Sequence, residues 1–140
     1  MIRRQSKGWH GFLSKSAEQL LSQSPLRFSQ MTPSSLPETA GVYLITKIAG
    51  NNEIPYYVGR TKNIRQRLYQ NHLMGRRESG TLKKYLIDNR ICSSRNEAKG
   101  FILRNCAARW IEEGDYRRRG AIEGFCTAII FPEYGIEEEH

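Results

Sequence analysis

Two runs of β-forming residues, joined by a Gly/Asn-rich turn and followed at once by a helix-forming run, constrain this chain more than any other stretch. Gly41-Val42-Tyr43-Leu44-Ile45-Thr46-Lys47 is β-branched and aromatic, which suits a pleated, half-buried strand. Tyr56-Tyr57-Val58-Gly59-Arg60 is a second such run. Between them, Ala49-Gly50-Asn51-Asn52-Glu53 holds residues that tolerate φ > 0, as hairpin loops require. Asn63 then offers an N-cap, and Ile64 and Leu68 lie one turn apart. The pattern predicts a hairpin feeding a helix from about Ile64 to Leu73, ended by Gly75. Both parities of the first strand are apolar, Val42 and Leu44 against Tyr43 and Ile45, so both faces of the sheet should be covered.

Further helices are expected over Thr81 to Asn89, from the Ser94-Arg95-Asn96-Glu97 capping pattern, and after Asp115. Ile122, Phe125, Cys126, Ile129 and Ile130 give the last its apolar stripe, and Pro132 stops it. Cys106 to Ile111 reads as a third strand. The order β-β-α-α-α-β-α gives a mixed α/β (α+β) class, a small three-stranded sheet flanked by helices. Residues 1–35, rich in Ser and Gln and broken by Pro25 and Pro33, read as an N-terminal extension. It carries a short helix at about Ala17 to Gln23 and either packs on the domain or stays mobile. Residues 36–140 form the domain.

The charge is uneven. The whole chain carries +8, with a pI near 9.7. Residues 60 to 119 alone hold sixteen Lys or Arg against six acids, more than the whole excess. Such a balance favours an acidic partner, nucleic acid above all. The three cysteines form no even disulfide set and no close metal-ligand spacing, which points to reduced thiols in a cytoplasmic setting. No apolar run reaches transmembrane length, so no membrane partner is expected.

Gly41-Val42-Tyr43, Tyr57-Val58-Gly59 and Arg67, ten residues after Tyr57, resemble the motif set of the GIY-YIG nuclease family. The resemblance runs from about Gly41 to Tyr134 and implies an antiparallel three-stranded sheet with helices around it. It also implies a divalent-metal-dependent endonuclease that cleaves DNA to 5′-phosphate and 3′-hydroxyl ends, branched or single-stranded DNA included. An alternative is a catalytically inactive nucleic-acid-binding module of the same fold.

Phosphodiester cleavage needs a base for water, a stabiliser for charge on phosphorus, and a Lewis acid or proton for the leaving oxygen. Tyr43 and Tyr57, on one face of adjacent antiparallel strands, lie within reach of one site. A phenol needs a nearby cation to act as a base. The resemblance gives one tyrosine that task without saying which. Arg67 lies at the rim of its helix's apolar stripe and offers a planar fork for phosphate oxygens. The resemblance makes it the catalytic arginine. The family often has a His four residues after that arginine. Here Asn71 stands there and His72 is five on, either a proton acceptor or phosphate contact or a structural histidine. Glu123, at the edge of the last helix's stripe, suits Mg²⁺ or Mn²⁺, and the resemblance places a metal-binding Glu on this helix. The bland reading pairs it with Arg119. Where the family usually has an Asn, this chain has Gly135. Arg60, Lys62, Arg76, Arg77, Lys83 and Lys84 are the candidate contacts to nucleic-acid phosphates.

Overall fold

The computed structural model of the chain describes residues 8–74 and 81–136. Helix α1 (Trp9–Ser22) leads into a two-residue strand β1 (Leu26–Arg27) and two 3₁₀ turns. Strands β2 (Gly41–Ala49) and β3 (Asn52–Thr61) form the hairpin. A π-helix (Gln66–Met74), α2 (Leu82–Asp88) and α3 (Arg95–Asn105) follow, then β4 (Cys106–Glu112) and α4 (Tyr116–Ile130). The sheet is antiparallel in the order β1-β4-β2-β3. The class is the one expected, but the sheet has four strands rather than three. The extra strand is β1, two residues long and set by its pairing with Ala107 and Ala108, a tertiary contact that leaves no local periodicity.

The hairpin is tighter than the five-residue loop expected. The strands run on to Ala49 and restart at Asn52, with Gly50 at φ 62° in the turn. The two apolar parities of β2 do go to two layers. Tyr43 and Ile45 join Leu68, Leu82, Leu86, Ala98 and Ile102 on one face. Val42 and Leu44 join Val58, Ile111, Ile122 and Cys126 on the other. Helix α1 starts eight residues earlier than expected. Trp9 stacks on Phe12 at 5.1 Å, and Ala17 and Leu20 are buried in the second layer. Phe28, Met31 and Leu36 enter the first layer, so the N-terminal segment contributes to both. The α4 stripe is narrower than expected, since Ile129 is exposed. The three cysteines are buried and free, and among the described residues no helix is long and apolar enough to cross a membrane.

The motif glycines have steric causes. A Cβ on Gly59 would lie 2.5 Å from Cζ of Tyr43, whose ring crosses that backbone. A Cβ on Gly41 would lie 2.8 Å from Cδ1 of Ile64 and run into the Ile111 carbonyl. Larger residues at either point would push the hairpin off its neighbours.

Candidate active site

Strand β3 is an edge, and the site is built around that edge. A register shift between β2 and β3 pairs Ile45 with Tyr57 but Thr46 with Pro55, leaving Tyr56 as the extra residue of a bulge. Successive strand residues ordinarily point to opposite faces. Here Tyr56 and Tyr57 both lie in the layer that holds Tyr43. The Tyr43 and Tyr57 rings stack at 6.1 Å with planes 16° apart. Tyr43 sits directly opposite Gly59, so the two phenols meet as a diagonal pair.

The helix behind them is not α-helical. In a π-helix the hydrogen bonds run i to i+5, so residues five apart share a face. Arg67 and His72 therefore converge, although α-helical spacing would separate them. Arg67 Nε donates to Tyr43 Oη at 3.1 Å, and the same guanidinium is hydrogen-bonded to Tyr57. His72 Nε2 lies 2.8 Å from Tyr43 Oη. The backbone N–H of Leu82 donates to His72 Nδ1 at 3.0 Å, which puts the proton of the neutral ring on Nε2, facing Tyr43. Tyr43 Oη thus accepts from two cationic or N–H donors.

Both Tyr43 and His72 are fully buried. Burial, then the neighbouring Tyr57, pushes the Tyr43 phenol above its ordinary value, against the pull of Arg67. Burial, then the charges of Arg67 and Lys83, holds His72 well below the usual imidazole range. A direct phosphate contact by His72, one of the expected readings, does not fit a side chain sealed from solvent. Its geometry is that of a residue that positions Tyr43. The unfolded chain protonates this imidazole near its ordinary value and the folded chain does not, so stability is full above that value and falls as pH drops below it. We expect His72 to contribute a slope of up to about 1.4 kcal/mol per pH unit below pH ~6.5. Denaturant melts between pH 7.5 and 5 check this. His72→Gln should flatten the slope by one proton, and an unchanged slope would show that the proton is taken up elsewhere.

Glu123 approaches from the opposite layer. It follows the buried Ile122 on α4 and is half-buried itself. Its carboxylate accepts from the backbone N–H of Arg60, a donor that the free edge of β3 leaves available. Burial raises its pKa, and the Arg60 charge and hydrogen bond oppose the rise. It makes no ion pair with Arg119, whose Nη1 donates instead to the carbonyls of Glu113 and Gly114. Tyr57 and Glu123 line one cleft of about 560 Å³, together with Gly124, Phe131, Tyr134 and Gly135. Glu133 and Tyr134 donate backbone bonds to Pro55 and Tyr56, so the segment after α4 runs along the β3 edge. Gly135 stands at φ 95°, a conformation that L side chains rarely adopt, and a Cβ added there would lie 3.4 Å from Cε2 of Tyr57. Among the described residues no group of three or more His, Cys, Asp or Glu gathers at one point. Glu123, the one carboxylate among the described residues lining this cleft, nonetheless fits Mg²⁺ or Mn²⁺, which commonly take one or two carboxylates and complete their shells with water and phosphate oxygens.

The basic candidates separate. Arg60 and Lys62 share a second cleft with Arg117 and Arg119. Lys84 pairs with Asp88 at 2.6 Å. Lys83 is 6% exposed, and burial with the charges of Lys99 and Arg95 lowers its amine to about 8, so it is not the solvated phosphate contact expected. Arg76 and Arg77, and the helix end at Gly75, lie outside the described residues. Arg65 turns away from the tyrosines, bonding the Leu36 carbonyl and pairing with Glu38 at 3.1 Å. Sequence reasoning did not single out Tyr116 or Arg117 of the second cleft and named Arg119 only as a partner for Glu123, although the run Tyr116-Arg117-Arg118-Arg119 was the available signal.

An arginine is thus held against stacked phenols, one of which shares a strand-edge cleft with the half-buried carboxylate of Glu123. A family profile described as the GIY-YIG catalytic domain matches residues 39–119, and the chain belongs to that family. The match takes in Tyr43, Tyr57, Arg67 and His72 and stops four residues short of Glu123. Neither curated proteins nor solved structures give a significant match.

Proposed function

We propose that the chain is a divalent-metal-dependent endonuclease that hydrolyses DNA to 5′-phosphate and 3′-hydroxyl ends. The observation that carries this is the convergence of Tyr57 and Glu123 on one open cleft, with Arg67 hydrogen-bonded to Tyr57 from behind. Tyr57 is the phenol in position to take the proton of the attacking water. Tyr43 is buried, holds Arg67 and His72, and has its proton made harder to lose. Arg67 offers its fork to the charge that builds on phosphorus. Glu123 holds the cation. Bound there, Mg²⁺ or Mn²⁺ supplies charge stabilisation at the leaving 3′ oxygen.

Supercoiled plasmid tests this reading. The chain should nick it with Mg²⁺ or Mn²⁺ and not with chelator, leaving ends that a DNA ligase reseals. Nicking that survives chelation contradicts the metal role. No nicking of plasmid, duplex, single-stranded or branched DNA in either metal favours the inactive binding module.

A further inference from the structure

The catalytic reading leaves one built feature unused. Where β3 ends and α4 begins, a cleft of about 660 Å³ is lined by Arg60, Thr61, Lys62, Tyr116, Arg117, Arg119 and Gly120. Four of the seven are cations and none is an acid. Among the described residues none of the four forms an ion pair. Arg119 is buried, with Nη1 spent on the Glu113 and Gly114 carbonyls, and closes one wall. Arg60, Lys62 and Arg117 are exposed. The Asp115 carboxylate accepts from the backbone N–H groups of Arg117 and Arg118, and the Glu123 carboxylate from that of Arg60. The Asp115 cap uses the free amides of the α4 N-terminus, so an anion entering the cleft meets side-chain cations rather than the helix end.

Two further observations give the cleft a shape and a direction. Tyr116 is 72% exposed at its mouth, and a large aromatic ring left in water beside three cations is how single-stranded nucleic acid is held: phosphates by the charges, a base by the ring. The Arg60 guanidinium lies so close over Gly120 that an added Cβ would strike its Nη1. Gly120 stands three residues before Glu123 on α4, about 4.5 Å of helix rise. The two clefts lie end to end along α4, Gly120 in one and Glu123 in the other.

We infer that this cleft is a nucleotide subsite next to the scissile position, in which Arg60, Lys62 and Arg117 hold a backbone phosphate and Tyr116 stacks an unpaired base. This rests on the nuclease reading and deepens it: the substrate has single-stranded character beside the cut. A base within a duplex is stacked on both faces and offers Tyr116 none, so a blunt duplex uses the cations alone.

The test measures affinity with chelator present, so that nothing is cut, for two labelled probes, a single strand and a blunt duplex, across salt. Variants are Tyr116→Ala and Arg117→Ala, both at exposed positions, with thermal melts to verify folding. Arg117→Ala should weaken both probes and lower the slope of log affinity against log salt by about one. Tyr116→Ala should weaken the single strand at least about fivefold, the lower end of base–aromatic stacking, and the duplex less than about twofold. Wild-type-like binding by both variants overturns the subsite. Equal losses on both probes for Tyr116→Ala overturn the stacking role. A wild-type chain that binds neither probe, or whose binding ignores salt, instead refutes the nuclease reading on which the subsite rests.

Discussion

Arg67→Ala is expected to slow cleavage at least about a hundredfold, the scale of removing one preorganised charge stabiliser from a transition state. Its position argues for that size. Arg67 bonds both tyrosines, and Tyr57 lines the cleft that Glu123 enters. The alanine variant also deprives the buried Tyr43 oxygen of a donor, so some loss of stability accompanies the loss of rate. Arg67→Lys separates the two effects. It keeps a cation but loses the planar fork, so its rate should fall between wild type and alanine while its melting temperature stays near wild type. Arg65→Ala is the control two residues away. Arg65 faces Glu38 and the Leu36 carbonyl, and a partly exposed ion pair of this kind is worth no more than about 1 kcal/mol. Single-turnover rates and melting curves for the three variants decide the matter. Similar rate losses at Arg65 and Arg67 would contradict the assignment.

The parts of the fold that were legible in the sequence are those written in local periodicity. The unbroken apolar run along β2 forecast two covered faces, and Val42 with Leu44 and Tyr43 with Ile45 do part into two layers. Asp115 and Ser94 marked the starts of α4 and α3, and both side chains accept from backbone N–H groups there. What escaped were features made by one residue too many. A bulge at Tyr56 and a π-helical turn through Arg67 each insert a residue that no propensity announces. The first is what brings Tyr56 onto the face that Tyr57 already shares with Tyr43. The second is what brings His72 under Tyr43, where counting on an α-helix set it apart. Strand β1 and the early start of α1 were hidden for another reason: both depend on distant partners, β4 for one and the Val42–Leu44 face for the other.

The basic residues show the same divide. Composition predicted an acidic partner for the middle of the chain, but not which cations would face it. Lys83 and Lys84 are neighbours in sequence, yet one is buried near His72 and the other pairs with Asp88 on the surface. Arg60 and Arg117 are far apart in sequence and line one cleft, because α4 packs beside the free edge of β3.

In the proposed mechanism a cation held by Glu123 works with Tyr57 in the cleft along that edge. Glu123→Gln tests it with the least disturbance, since it keeps the size of the side chain and can still accept from the Arg60 backbone N–H while removing the charge that a hard cation requires. The measurement is plasmid nicking by wild type and variant in Mg²⁺, in Mn²⁺ and with chelator, with DNA affinity followed in parallel. The variant is expected to bind DNA with near wild-type affinity and to cut at least about a hundredfold more slowly in either metal, as when a major charge-stabilising element is lost. A variant that nicks as fast as wild type would contradict that mechanism and place the metal site away from Glu123.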